Sequence, residues 1–320
     1  MEQPLVTVIC LCYNQECFVG DTLLSVYQQT YSAIELIIID NGSTDDSVSK
    51  IETFLEICPH AIFIRLNTNQ NTAIAFNQAL SHSSGKYIIH ISGSHILVPH
   101  RVERQLHAFS KLDKRYGIVY SDAELLNEQL DHIGFWYERN SENKQFNEGN
   151  SGNVYASLFR KKYICSASMM VARVVYETLN GYDESLEHEE FDFQVRSAKK
   201  YYYYYQNEAL TKIRICGDIL NDRNYIHAHL LSILKGCQHA YRLNSFDKEN
   251  QALAICIRRY LLQALFTDNR ELVHKFGQLL SKITELTRLD HLWLGLAKSR
   301  LPLFIFYRQY LRLKKPVVVF

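Results

Sequence analysis

The stretch Glu35-Leu36-Ile37-Ile38-Ile39-Asp40-Asn41-Gly42-Ser43-Thr44-Asp45-Asp46-Ser47 constrains the fold more than any other. Its apolar, isoleucine-rich start reads as a fully buried strand. Asn41 and Gly42 can take the backbone angles that a sharp turn needs. Ser43, Thr44, Asp45 and Asp46 offer capping side chains to a helix over 46–58. A carboxylate, Asp40, therefore stands at the carboxyl end of a buried strand, where open α/β sheets bind ligands. In isolation such an aspartate simply closes a turn, so its meaning depends on the rest of the chain.

The same alternation recurs on both sides of that stretch. Residues 5–12 (LVTVICLC) are almost continuously apolar and read as a first buried parallel strand. The turn Tyr13-Asn14-Gln15-Glu16 follows, and Phe18, Leu23, Val26 and Tyr27 recur at helical spacing as far as Thr30. Further strands are expected over 61–66, 87–91 and 117–120, with helices over 72–81 and 99–111. In the last of these helices Val102, Leu106 and Phe109 share a face, and Pro99 suits its first turn. Alternation at this spacing means a doubly wound, mostly parallel sheet.

From 121 to 164 the pattern weakens into loops around Gly134-Phe135-Trp136 and 140–153. Order returns with a strand over 166–171 and a helix over 173–179 that Asn180-Gly181 ends. An amphipathic helix over 189–200 turns Phe193 and Val195 inward. A tyrosine strand over 201–205 and a short strand over 210–215, ended by Cys216-Gly217, complete this part. Beyond Tyr225 helical periodicity takes over and predicts four or five helices. The expected organisation is an α/β domain over 1–222 and a helical appendage over 223–320.

Composition sets limits. Apolar residues make up 47% of the 320-residue chain and charged residues 22%, as in ordinary folded proteins. A net charge of +1 gives no electrostatic case for nucleic acid. The eight cysteines form no CxxC pair and lack zinc-site spacing with histidine. Cys10 and Cys12 share a face of one strand, so they read as core thiols of a protein kept in a reducing cytosol. Glu2 and Gln3 stand where a signal peptide would be basic, and no apolar run has the length of a membrane span. There is no GxGxxG after the first strand and no GxxxxGK[ST], so a dinucleotide enzyme or P-loop NTPase lacks its phosphate cradle.

Several fragments stand in a telling order: Pro4-Leu5-Val6-Thr7-Val8-Ile9, Tyr13-Asn14-Gln15-Glu16, Ile39-Asp40-Asn41-Gly42-Ser43-Thr44-Asp45, Asn69-Gln70-Asn71 with Ala75 and Asn77, Gly85-Lys86-Tyr87-Ile88, Asn180-Gly181-Tyr182-Asp183-Glu184 and Glu189-Glu190-Phe191-Asp192. Over its first two thirds the chain resembles the family 2 glycosyltransferases, which use the GT-A fold. The resemblance implies a nucleotide-sugar site at the carboxyl edge of the sheet, for a donor such as a UDP-sugar. Tyr13, Asn14, Glu16 and Asp40 then fall where the family holds base and ribose. A carboxylate can accept from a base N–H and a tyrosine ring can cover the base. Asn77 falls where the family often has an asparagine, in a structural or nucleotide-contacting role. The acidic pair Glu189-Glu190 matches the family's catalytic acids, with Glu190 as the general base of inverting transfer. Read without the family, the pair simply stabilises a helix N-terminus.

One departure stands out. The family continues its fourth strand into an Asp-x-Asp motif that holds Mg2+ or Mn2+ against the diphosphate. Here Ser92, Ser94 and His95 occupy the acid positions. Hydroxyls serve a hard cation poorly and one imidazole makes a weak site, so the expectation is weak metal binding or none. Arg101, Arg104, Lys161, Lys162 and above all Arg214 are candidate cations to take over the diphosphate. The function so implied is inverting sugar transfer to a glycan or lipid-linked acceptor. The alternative is a non-catalytic sugar-nucleotide-binding or scaffold subunit. Leu301 to Phe306 followed by Arg308, Arg312, Lys314 and Lys315 suits a basic amphipathic helix on an anionic membrane face, or packing on the appendage or a second subunit. A cytoplasmic enzyme, peripheral on the membrane and capable of homo-oligomerising, is the expected setting.

Overall fold

The computed structural model describes residues 3–137, 149–160, 164–215 and 222–299. In chain order the elements are β1 (Val6–Cys12), α1 (Val19–Tyr27), β2 (Ile34–Asp40), α2 (Ser47–Ile57), β3 (Ile62–Arg65), α3 (Thr72–Ser81), β4 (Tyr87–Ser92), β5 (Ile96–Leu97), α4 (Arg101–Ser110), β6 (Tyr116–Leu126), β7 (His132–Phe135), α5 (Tyr155–Arg160), β8 (Met170–Ala172), α6 (Arg173–Leu179), α7 (Glu190–Ala198), β9 (Tyr202–Arg214), α8 (Arg223–Leu243), α9 (Asp247–Phe266), α10 (Arg270–Ile283) and α11 (Arg288–Lys298).

They form two compact units. The first comprises Met1–Val154, Ile164–Glu189 and Lys200–Cys216, and the second Tyr155–Tyr163, Glu190–Lys199 and Gly217–Phe320. The sequence suggested one boundary near residue 222. The structure instead gives α5 and α7 to the helical unit, because both pack on α9 or α8.

The first unit is a mixed sheet in the order β3-β2-β1-β4-β8-β6-β9-β5, with β7 beside β6. The strands β3, β2, β1 and β4 are parallel. β8 then runs antiparallel to both β4 and β6. Every residue of β1 is buried, as a central strand covered on both faces requires. Val6, Val8, Cys10 and Cys12 face a core shared with Leu23 and Val26 of α1, Ile51 and Phe54 of α2, and Val102 and Phe109 of α4. α3 packs on β1 and β2, and its Phe76 meets His90 with ring centroids 4.6 Å apart. His90 alternates with the core residues Ile89 and Ile91, so α3 covers the opposite face.

Register places the ends of three strands together. Cys12 pairs with Asp40 across β1 and β2, and Leu11 pairs with Ser92 across β1 and β4. Asp40 and Ser92 therefore end their strands at one edge.

Several sequence expectations change. The stretch expected to be loop from 121 to 164 contains the rest of the eleven-residue β6, then β7 and α5. The strand expected over 166–171 begins as a 3-10 turn over Ser166–Ser168. There the Ser168 hydroxyl donates to the Cys165 and Ser121 carbonyls, satisfying the turn locally. The strands over 201–205 and 210–215 are one, β9. It stays paired with β6 through register shifts, with Gln206 opposite Ser121 and Ala209 opposite Asp122, so the extra residues bulge out.

The second unit packs Leu230, Ile233, Leu234 and Cys237 of α8, Leu253, Ile257 and Leu261 of α9, and Leu272, Phe276 and Leu280 of α10 into a buried core. Arg258 donates to both oxygens of Asp290, which also caps α11 with Thr287. No described helix is long and apolar enough to cross a membrane. The basic stretch from Leu301 to Lys315, and also Lys161, Lys162 and Cys216-Gly217, lie outside the described residues.

Candidate active site

Two loops are laced together at the carboxyl edge of β1 and β2. Asn14 takes a left-handed φ of 50°, and its backbone N–H donates to Ser43 Oγ at 3.0 Å. Its side-chain oxygen accepts from the Thr44 N–H at 2.8 Å. The Gln15 N–H donates to Ser47 Oγ at 2.8 Å. The Glu16 N–H donates to Asp45 at 3.0 Å, while Glu16 Oε2 accepts from the Asp46 N–H at 2.7 Å. Asn14 and Glu16, expected to reach the nucleotide, thus hold the second loop in place. Gly42 has a φ of 76°, and a β-carbon there would lie 2.5 Å from the Thr68 carbonyl carbon, so only glycine fits. Asn41 bonds Asn69 and Gln70 on the neighbouring loop.

Asp40 stands inside this lattice and is fully buried. Its Oδ2 accepts from the Ser43 N–H at 3.0 Å, but its Oδ1 is buried with no hydrogen-bond partner among the described residues. An unmet buried acceptor is costly, and the cost is larger for a charged group. Tyr13, which follows β1, is exposed.

The end of β4 is built differently. Gln15 Nε2 donates to Ser92 Oγ at 2.8 Å, and the Ser92 and Ser94 hydroxyl oxygens lie 3.2 Å apart. The Ser92 N–H points at His95 Nδ1 from 3.4 Å, which leaves the imidazole proton on Nε2. Burial first, then repulsion by His90, Arg101 and Arg214, pushes His95 down to about 3. It is therefore neutral at ordinary pH. Arg214, at the end of β9, reaches the Ser94 carbonyl with Nη1 at 3.4 Å and Asp21 with Nη2 at 2.5 Å. Its Nε is buried without a partner among the described residues. Arg101 is fully buried and donates to Gln105, Thr211 and the Met169 carbonyl, all neutral. Burial lowers it to about 10, so it keeps its charge.

The groups at the end of β4 do not fit a divalent metal. Among the described residues they include no carboxylate, the two hydroxyls bond each other or Gln15, and His95 Nδ1 faces an N–H. Two guanidinium charges act on the same position. A hard cation needs oxygen ligands and negative charge there.

Asn77 and Glu189 belong to a second cluster around α3 and the turn after α6. Asn77 donates to the Tyr182 carbonyl and to Glu184, both at 3.0 Å, and accepts from the Tyr182 N–H at 2.9 Å. Its amide braces the turn after α6. A β-carbon on Gly181 would strike that amide. Thr72 donates to the buried Glu189 at 3.3 Å and to the Glu187 carbonyl at 3.0 Å. Glu190 opens α7 and is half-buried. In the same helix Asp192 is buried between Arg196 and His239, each at 2.6 Å. Arg104 lies at the surface, 3.8 Å from Glu208. Gln15, the link between the two loops and β4, was legible only as part of the Tyr13-Asn14-Gln15-Glu16 turn.

Comparison with known proteins agrees with this architecture. The model of glycosyl transferase family 2 matches residues 7–171. The Bacillus subtilis glycosyltransferase EpsE is 26% identical over 230 residues, covering 70% of this chain and 78% of its own. An uncharacterized glycosyltransferase of Rickettsia typhi is 25% identical over 215 residues, covering 66% and 64%. The chain thus spans a little under two thirds of that relative. Among solved structures, residues 1–349 of S. aureus TarS in complex with UDP-GlcNAc superpose with a TM-score of 0.68 at 13% identity, over 96% of this chain and 92% of that one. The mannosyltransferase PcManGT from Pyrobaculum calidifontis, in complex with GDP-Man and Mn2+, gives 0.59 at 15% identity, over 97% and 84%. At such identities the likeness speaks for the fold alone, the GT-A fold. With the family model covering more than half of its length, the chain belongs to glycosyl transferase family 2.

Proposed function

We propose that the protein transfers a sugar, with inversion, from a nucleotide-diphosphate sugar to a hydroxyl of a glycan or lipid-linked acceptor. One observation carries the donor side: Asp40 Oδ1 is buried, unpartnered and at the carboxyl end of β2. A uracil or guanine ring N–H supplies the donor it lacks, and the exposed Tyr13 ring can cover the base. TarS is described with UDP-GlcNAc and PcManGT with GDP-Man, so both bases belong to the proposal.

On the acceptor side we assign Glu190 as the base. Glu189 is buried and bonded by Thr72, whereas Glu190 keeps part of its side chain exposed. In the reaction the Glu190 carboxylate takes the proton of the acceptor hydroxyl. The acceptor oxygen bonds the anomeric carbon as the bond from that carbon to the phosphate oxygen breaks, and its electron pair leaves with the nucleoside diphosphate. We further place the reaction on the cytoplasmic side of a membrane, with the basic stretch ending at Lys315 as the contact.

A panel of nucleotide sugars, assayed for transfer and for slow donor hydrolysis, tests the reading. One donor is expected to turn over, and Glu190→Gln is expected to stop turnover while binding persists. If a nucleotide binds but neither wild type nor variant turns over any donor, the chain is a binding or scaffold subunit instead. The serines at 92 and 94 are the feature that favours that second reading.

A further inference from the structure

Arg214 carries a buried Nε with no acceptor, beside the place where the family's metal motif would lie. Its only carboxylate contact among those described is Asp21, on the first turn of α1, whose side chain is 54% exposed while that of Arg214 is 2% exposed. Behind it, Arg101 is a buried cation bonded only to neutral acceptors. Burying charge without a counter-charge is costly unless an anion arrives to offset it. The Phe18 ring, 5.1 Å from the Arg214 guanidinium, holds the fork flat and in place. His95 is neutral with its proton on Nε2, and so adds a donor without adding a competing base.

We propose that Arg214, with the field of Arg101 behind it, forms a metal-independent subsite for the diphosphate of the donor, and that Asp21 is a placeholder which the diphosphate displaces. The inference rests on the nucleotide-sugar reading given above and deepens it. A guanidinium matches phosphate oxygens in shape and charge, and stabilises the departing nucleoside diphosphate as a metal would. Asp21, whose side chain is 54% exposed, can turn to solvent, and a diphosphate brings Arg214 more negative charge than one carboxylate.

Calorimetric titration of uridine, UDP, guanosine and GDP tests this, each run in EDTA and in Mn2+. Wild type is expected to bind UDP or GDP equally in both. Arg214→Met is expected to lose about tenfold in affinity for that diphosphate and to bind the matching nucleoside unchanged. Arg214→Lys keeps the charge without the fork and should fall between the two. Asp21→Asn is expected to bind the diphosphate a few-fold more tightly. Thermal melting of each variant shows that it is folded. Diphosphate binding that requires Mn2+, or that survives Arg214→Met intact in a folded variant, overturns the subsite. A weaker diphosphate affinity in Asp21→Asn overturns the placeholder. Absence of binding by every nucleoside and diphosphate overturns the donor reading itself, and the subsite with it.

Discussion

The loops after β1 and β2 and the end of β4 lie on one sheet edge but leave opposite needs unmet. The first region is a lattice of neutral and acidic groups in which two buried acceptors, Asp40 Oδ1 and Gln15 Oε1, lack a donor among the described residues. The second is lined by hydroxyls and a neutral imidazole, and one donor, Arg214 Nε, lacks an acceptor. A nucleoside offers N–H groups and a diphosphate offers oxygens. The contrast teaches that a binding edge can be read from what its buried polar atoms are missing.

The largest expected effect lies outside both regions. Glu190→Gln should lower turnover by about 10²–10⁴-fold, the usual worth of a general base, and leave nucleotide affinity unchanged. Rapid-quench kinetics beside calorimetry would check it, and equal losses in both would mean that Glu190 shapes the binding edge instead.

The next effect separates the regions. Asp40→Leu should weaken nucleoside and diphosphate alike by roughly 10- to 100-fold, because it removes the base-side acceptor. Arg214→Met touches the diphosphate alone. Should both variants weaken nucleoside and diphosphate in the same proportion, the edge is one undivided site.

Gly42→Ala probes the backbone of the first region. The new β-carbon meets backbone atoms 2.5 Å away at a φ of 76°, so a stability loss of about 1–3 kcal/mol is expected in a urea melt. Gly93→Ala, whose β-carbon would press on the tip of Gln15 at 2.7 Å and touch Cys12 at an ordinary 3.4 Å, should cost less.

The smallest effect is in pH. Burial holds His90 at about 4, and burial with neighbouring charge holds His95 at about 3, both below the ordinary 6.5. The unfolded chain therefore takes up protons first. The stability gained by keeping these rings neutral is complete above about pH 6.5 and is lost as pH falls from there toward 4. The melting temperature should decline between pH 6.5 and 5, and His95→Gln should flatten that slope. An unchanged slope would mean that His95 is not held neutral by the fold.

Much of the first region was legible because it is local. The apolar runs at 5–12 and 35–40, the turn at Gly42 and the helix stop at Asn180-Gly181 each depend on neighbours in sequence, and Asn180 is indeed left-handed at φ 55°. Ser92, Ser94 and Arg214 were also singled out from the sequence, and the structure brings Arg214 to the Ser94 carbonyl. What was not legible depends on distant partners. Asp21 and Arg214 are 193 positions apart. Asn14 and Glu16 receive N–H groups some thirty residues away, so their laced role cannot be read from a turn motif. The continuity of β9 was hidden by Asn207 and Glu208, polar residues that a bulge tolerates. α5 and α7 join the helical unit through packing on α9 and α8, which no local pattern encodes.

The central claim is that Asp40 reads the base of a nucleotide donor. Titration of UDP and GDP into wild type and Asp40→Leu, in EDTA, tests it most directly. Wild type is expected to bind one of the two, and the variant, still folded by thermal melting, to bind it at least about tenfold more weakly. Equal binding by the two proteins, or binding of neither nucleotide by wild type, would contradict it.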